Sequence, residues 1–176
     1  MLPDAFETAR LRLRPVSAGD ADAVFEAYAQ DAAVARYTIW RPHRSRDETL
    51  AFIEHCLATP EAVERTYLLV GHADGLVRGS FALRRRAPHR LDCGYVLGRA
   101  WWRQGLMSEA LGEVAAWAMR QPAVFRLGAV CDIENVASAG VLEKSGFQRE
   151  GVLRRWLVHP NLGDQPRDCY SYGRFR

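Results

Sequence analysis

The chain is short of lysine, of paired cysteines and of long apolar runs. Lys144 is the only lysine among 24 Lys and Arg residues. Arginine supplies the rest, as a genome rich in G and C would give, and its guanidinium fork also suits phosphate and carboxylate. The formal net charge is only +3, a small surplus for a dedicated nucleic-acid binder. Cys56, Cys93, Cys131 and Cys169 stand far apart, with no C-x-x-C pair. Free thiols in a reducing cytoplasm are therefore expected. No two of His43, His55, His72, His89 and His159 form an H-x-x-x-H pair, so no metal site is expected. No stretch approaches the ~20 apolar residues that span a bilayer. The start, Met1-Leu2-Pro3-Asp4, lacks the apolar run of a signal peptide. The expectation is a soluble cytoplasmic protein that avoids membranes.

What is present suits one domain over residues 1–176. Hydrophobic residues make up 48% and charged residues 26%, the balance of a globular chain. A domain of this size can bury a core without disulfides. Repeats and linkers are absent.

Arg10-Leu11-Arg12-Leu13-Arg14 alternates as a half-buried strand does. Ser17 is placed to cap a helix over about Asp20 to Gln30. Tyr37 to His43 is irregular, with Pro42 blocking a helix. Ser45 or Asp47 caps a second helix to about Leu57. Thr66–Gly71 and Leu76–Leu83 flank the Ala73-Asp74-Gly75 turn as a hairpin. Arg84, Arg85, Arg86, Pro88 and His89 read as a solvated loop. Leu91–Gly98 is a strand, with Leu91, Cys93, Tyr95 and Leu97 on one face and Asp92, Gly94 and Val96 on the other. A helix follows over about Leu106 to Arg120, then a strand over Phe125–Asp132. A helix over Val136–Ser145 ends on Gly146. Phe147–Val158 and Arg167–Phe175 close the chain as strands. This order predicts an α/β or α+β layer structure, one sheet covered by helices.

Two segments carry chemistry. Trp101-Trp102-Arg103-Gln104-Gly105-Leu106-Met107-Ser108-Glu109-Ala110 joins a strand to a helix. The first amides of a helix lack acceptors and lie at the positive end of its dipole. Gly105 lets an anion approach the backbone, so this is a candidate phosphate cradle. No G-x-G-x-x-G opens a helix, and Glu143 occupies the glycine position that a P-loop ending in Lys144-Ser145 would need. The second segment, Asn135 to Phe147, opens another helix after a strand. Asn135 serves either as a plain cap or as a ligand, with Ser138 one turn on.

Together the two segments resemble the signature of the GNAT N-acetyltransferases. Trp102-Arg103-Gln104-Gly105-Leu106-Met107-Ser108-Glu109-Ala110 resembles the W-G-x-G-x-x-[ST]-E-A form of the ribosomal-protein-acetylating branch. Asn135-x-x-Ser138, Leu142-Glu143-Lys144-x-Gly146-Phe147 and Glu150-Gly151 resemble its second half. Arg10-Leu11-x-Leu13-Arg14 and Tyr37-x-x-Trp40-x-Pro42-His43 are similar to that branch as well. Trp102, Arg103 and Met107 depart from the wider pattern Q/R-x-x-G-x-G/A.

The resemblance implies a mixed, mostly antiparallel sheet, splayed between Leu91–Gly98 and Phe125–Asp132, with helices on both faces. It implies acetyl-CoA as co-substrate and a primary amine as acceptor, attacked directly in a ternary complex. Pantetheine would pair near Leu97, Gly98 and Arg99. The pyrophosphate would rest on the amides of Gln104, Gly105, Leu106, Met107 and Ser108, with Arg103 beside them and Asn135 near the pantetheine arm. Asp92 is the candidate base, where the branch has Glu; the alternative is an ordinary strand carboxylate. The usual tyrosine acid would fall at Leu142, so Ser138 is the candidate for orienting or protonating the sulfur. Tyr95, Tyr170 and Tyr172 are further hydroxyls that also read as core. Tyr37, Trp40 and His43 are the candidate acceptor wall, or else a loop anchored by Trp40. A protein N-terminus and a small amine both fit as acceptor, and a homodimer stays open. Two rival readings are a non-catalytic acyl-CoA binder and an Arg-rich RNA- or ribosome-binding module.

Overall fold

The computed structural model describes residues 2–176. Its strands are β1 (Phe6–Glu7), β2 (Leu11–Pro15), β3 (Glu64–Gly71), β4 (Val77–Ala87), β5 (Arg90–Leu97), β6 (Arg126–Asp132), β7 (Gln148–Val158) and β8 (Pro166–Phe175). The helices are α1 (Ala21–Val24), α2 (Ala32–Ala35), α3 (Arg46–Ala58), α4 (Leu106–Arg120) and α5 (Val136–Lys144). The strands form one sheet in the order β1-β2-β3-β4-β5-β6-β8-β7. Every junction is antiparallel except that of β5 with β6.

That parallel junction positions everything else. It holds for three pairs only, Arg90↔Arg126, Leu91↔Leu127 and Asp92↔Gly128. Beyond it each strand stays with its antiparallel neighbour. β5 follows β4 as far as Leu97↔Gly79, and β6 follows β8 as far as Asp132↔Cys169. The sheet therefore forks, and the open arms are Cys93–Leu97 and Ala129–Asp132.

Strand alternation sorts side chains onto two faces. Leu11 and Leu13 are fully buried while Arg12 points outward. They join Tyr67, Leu69, Phe81, Leu83, Leu91 and Leu127 under α4. That helix buries Leu106, Met107, Ala110, Leu111, Val114, Ala115 and Ala118, a stripe at helical spacing. On the opposite face α1, the turn after it and α3 cover Val16, Leu68, Val77 and Val96 with Val24, Tyr28 and Ile53 respectively. This second core draws nothing from β6, β7 or β8. Val130 on β6 accordingly stays exposed.

Most elements fall where the sequence puts them. Ser45 accepts from Glu48 N to cap α3, and Gly146, at φ 79°, ends α5. Three differences have physical causes. The expected loop at Arg84–Arg86 is instead the end of β4, because cross-strand ion pairs hold it: Arg84 with Glu64 on β3 and Arg86 with Asp92 on β5. The single helix expected over Asp20–Gln30 is a 3₁₀ turn (Ala18–Asp20), α1, and a π-helical turn (Phe25–Ala29). Then Asp31, which accepts from Ala33 N at 2.8 Å, starts the unanticipated α2.

Candidate active site

Between β5 and α4 the chain makes a loop whose amides are left open. Trp102 donates its indole Nε1–H to the Leu97 carbonyl at 2.7 Å, closing the loop onto the strand end. Arg103 (φ 61°) and Gly105 (φ 76°) both lie in the left-handed region, the second at the residue type that tolerates it without a Cβ penalty. Alternating left- and right-handed residues aim successive N–H groups into one concavity. After Trp102, whose amide bonds Arg99 O at 3.3 Å, the next amide to find a backbone acceptor is that of Glu109, which bonds Gly105 O at 3.0 Å. Among the described residues, the amides of Gln104, Gly105, Leu106, Met107 and Ser108 have no partner. Leu106 and Met107 bury their side chains in the core, so only their backbone can serve a ligand.

Residues from the start of the chain brace this loop. Glu109 Oε1 accepts from Thr8 Oγ1 at 2.6 Å and from Arg10 N at 2.8 Å. Arg10 Nε reaches Glu109 Oε2 at 2.7 Å, and its Nη1 reaches Gln104 O at 3.0 Å. Burial pushes the Glu109 carboxyl up, but the bonds from Thr8 and Arg10 outweigh it and hold the group below its ordinary value. The Arg10-Leu11-x-Leu13-Arg14 motif thus reaches the cradle across the fold. The motif was visible in the sequence, but its bracing role was not.

The fork itself lies beside this loop. Gly98 N donates to Arg78 O on β4 at 2.7 Å. Because N–H and C=O of one residue address the same antiparallel neighbour, Cys93, Tyr95 and Leu97 turn their backbone toward the gap. The Leu97 carbonyl is already engaged by Trp102. Gly98 faces β4, and Arg99 is paired with Asp31 at 3.1 Å. The open backbone thus runs from the Cys93 carbonyl through Tyr95 to the Leu97 amide, overlapping the Leu97–Arg99 stretch expected from the sequence at Leu97.

One side-chain pair crosses the fork. Tyr95 Oη on β5 lies 3.1 Å from Ser138 Oγ on α5. Burial raises the Tyr95 phenol above its ordinary value, against the Ser138 hydrogen bond. Asn135 accepts from Ser138 N at 3.2 Å, which is a helix cap. Cys131 and Cys93 flank the pair, and burial pushes their thiols up to about 11 and about 12. Neither is thereby activated as a nucleophile.

Asp92 occupies the closed end of the fork, on the face opposite Tyr95. Its Oδ2 accepts from Arg86 Nε at 2.9 Å, and its side chain remains one-third exposed. A Cβ at Gly128, directly across the junction, would sit 2.8 Å from Asp92 Oδ1, so a larger residue there would displace the Asp92 carboxylate. Next to it, Arg126 and Glu150 form a bidentate pair. Asp92 and Ser138 are therefore on different faces, separated by the fork.

Tyr37, Trp40 and His43 lie together in the loop between α2 and α3, with unequal roles. His43 Nδ1 is 2.8 Å from Thr49 Oγ1, and its ring packs between Trp40 and Phe52. Burial lowers the His43 pKa, with Glu48 opposing the shift. Trp40 packs on the core beneath α1 and α3. These two anchor the loop. Tyr37 instead stands edge-on to His159 at 6.3 Å. Among the described residues, no cluster of three or more His, Cys, Asp or Glu side chains could hold a metal ion, and no helix is long and apolar enough to cross a membrane.

A strand that ends in a glycine turn with open amides, beside a forked sheet, can hold an anion and an extended chain, and comparison with known proteins gives the class. Residues 10–148 match the acetyltransferase (GNAT) domain family. The chain belongs to the GNAT acetyltransferases and is an acetyltransferase enzyme. It is 32% identical over 160 residues to YoaA, an uncharacterised N-acetyltransferase of Bacillus subtilis (strain 168), covering 86% of each chain. It is 30% identical over 95 residues to the ribosomal protein uS5-alanine N-acetyltransferase of Escherichia coli (strain K12), covering 54% of this chain and 45% of that one. Among solved structures, a GNAT-family acetyltransferase of Bacillus anthracis superposes with a TM-score of 0.85 at 23% identity, covering 97% and 98% of the two chains. A ribosomal L7/L12 α-N-protein acetyltransferase in complex with coenzyme A gives 0.84 at 20% identity, covering 97% of each chain. At these identities the superpositions establish the fold.

Proposed function

We propose that the protein transfers an acetyl group from acetyl-CoA to a primary amine, and that the amine is the N-terminus of a protein. The observation that carries the donor assignment is the row of open amides from Gln104 to Ser108 under the left-handed Gly105. Amides at a helix start, aided by the helix dipole, hold a diphosphate. The Tyr95 backbone and the Leu97 amide offer strand-like partners to the pantetheine arm. Acetyl-CoA supplies an activated acyl group; the chain's residues supply position and proton transfer.

In this reading Asp92 takes a proton from the incoming ammonium at its carboxylate, directly or through water. Its face of β6 and β8 is uncovered by helices, which leaves the acceptor a way in. On the other face, the Ser138 and Tyr95 hydroxyls donate to the departing sulfur. Cys93 and Cys131, protonated at neutral pH, take no part, so the amine attacks directly while both substrates are bound. The Escherichia coli relative, a ribosomal protein uS5-alanine N-acetyltransferase, supports a protein acceptor.

The test is a thiol-release assay with acetyl-CoA, comparing peptides that begin with alanine or serine against small amines. Release with peptides alone is the expected result. Release with neither class would favour a non-catalytic acyl-CoA binder, the reading that the Arg86–Asp92 ion pair and Leu142 support.

A further inference from the structure

Two side chains of the β7–β8 connection hold the loop between α2 and α3 at three carbonyls. Asn161 Nδ2 donates to Ala35 O at 2.6 Å and to Trp40 O at 2.8 Å. Those are also the two carbonyls that Thr38 Oγ1 reaches, at 2.8 and 2.9 Å. His159 Nδ1 donates to Thr38 O, between them, at 3.3 Å; the acceptor is a carbonyl, so the proton is on Nδ1.

The other side of the imidazole faces the fork. His159 Nε2 lies 3.5 Å from Asp132 Oδ2 and has no hydrogen-bond partner among the described residues. Asp132 is the last residue of β6 and is 1% exposed. Arg167 Nε and Nη2 donate to its carboxylate at 2.6 and 3.2 Å, as does Glu134 N at 2.9 Å. His159 itself is 2% exposed and packs edge-on against Tyr37. Burying an imidazole with an orphan nitrogen opposes folding.

We propose that His159 and Asn161 are positioning residues for the amine acceptor. They strap the Tyr37–His43 loop down and set it beside Asp132, at the end of the β6 arm of the fork. The arm continues through Asn135 into α5, which carries Ser138, so the strap holds the acceptor loop next to the arm that leads to the transfer site. The cofactor cradle at Gly105 lies on the β5 side and shares no residue with the strap. The catalytic consequence rests on the acetyltransferase reading above; the strapping of the loop does not.

The test uses the full chain and the variants Asn161→Ala, His159→Leu and His159→Asn, the last of which keeps a donor at the Nδ1 position. Hydrogen exchange reads the loop directly, without any acceptor. In Asn161→Ala the amides of residues 36–44 should exchange about tenfold faster, since two bonds to the loop are gone. Acetyl-CoA Kd by calorimetry should stay within about twofold, while KM for an alanine-initiated hexapeptide rises roughly fivefold or more and kcat changes little. His159→Asn should fall between wild type and His159→Leu. Unchanged loop exchange in Asn161→Ala overturns the proposal, as does a loss of acetyl-CoA affinity parallel to the rise in KM. Should His159→Leu fail to fold, Asn161→Ala, half-buried and on a turn, carries the same decision. Wild-type protein that ignores the peptide would refute the proposed acceptor class, and the exchange result would still decide the strap.

Discussion

Gly105→Ala tests the cradle through a conformation rather than a clash. A Cβ at this position would meet only Arg10 Nη2, at 3.7 Å, an ordinary contact. The cost therefore comes from φ 76°, where an L side chain loses about 1–2 kcal/mol. For a domain of this length that corresponds to a Tm lower by roughly 2–8 °C. If the loop escapes the strain by leaving the left-handed region, the amides of Gln104 to Ser108 no longer converge. A hydrogen bond to a charged group contributes about 1.5–3 kcal/mol, so re-aiming one amide should weaken acetyl-CoA about 10- to 100-fold. Calorimetry with acetyl-CoA measures the affinity, and melts with and without it measure the linked stabilisation, about 2.7 kcal/mol at a hundredfold excess over Kd for wild type. Gly112→Ala is the control. It lies on α4 with nothing within 4 Å of its added Cβ, and should stabilise by about 0.5–1 kcal/mol while binding normally. A folded Gly105→Ala protein with wild-type affinity would refute the reasoning and move the phosphate site elsewhere.

Asp92→Asn should lower turnover roughly 10²-fold with acetyl-CoA affinity unchanged; full activity would mean that no base is needed at that position. Ser138→Ala and Tyr95→Phe should each slow turnover less than Asp92→Asn, and the double variant should lose less than the product of the two. Their hydroxyls are 3.1 Å apart and share one task; strictly multiplicative losses would separate them. The thiols give a pH test. Burial raises Cys131 to about 11 and Cys93 to about 12, so the fold favours the protonated forms. The stability this contributes is complete below the ordinary thiol pKa and is lost as pH rises through about 11 to 12. Alkylation at pH 8 should label half-buried Cys56 first; rapid labelling of Cys131 at that pH would contradict the burial argument.

Local pattern determined much of this protein. Alternation at Leu11–Leu13 and at Leu91–Leu97 assigns strand faces, because side chains two apart share a side. The α4 stripe from Leu106 to Ala118 follows from helical spacing, and Gly105 and Gly146 mark the turns that need a positive φ. Such features depend on neighbours within a few residues, so they are legible without a fold. The short π-helical turn over Phe25–Ala29 and the four-residue α2 escaped because periodicity has too few positions to register there. The Arg84–Arg86 stretch escaped because its partners, Glu64 and Asp92, lie on other strands.

The site divides the same way. Gly105 and the helix start it opens were legible as a candidate cradle because the orphan amides of a helix N-terminus are a local property. Asn135 could be recognised as a cap, and the structure supplies its bond to Ser138 N. Only the tertiary structure brought Arg10 to Gln104, across 94 positions, and Tyr95 to Ser138, across 43. It also ended the β5–β6 pairing at Asp92↔Gly128. The fork exists because each arm keeps its antiparallel partner, and nothing in either segment alone encodes that competition. The roles of Tyr37, Trp40 and His43 were undecidable from composition, since an aromatic loop can line a pocket or fill a core. Packing sent Trp40 and His43 inward and left Tyr37 against His159, a contact made across 122 positions that no local spacing could announce.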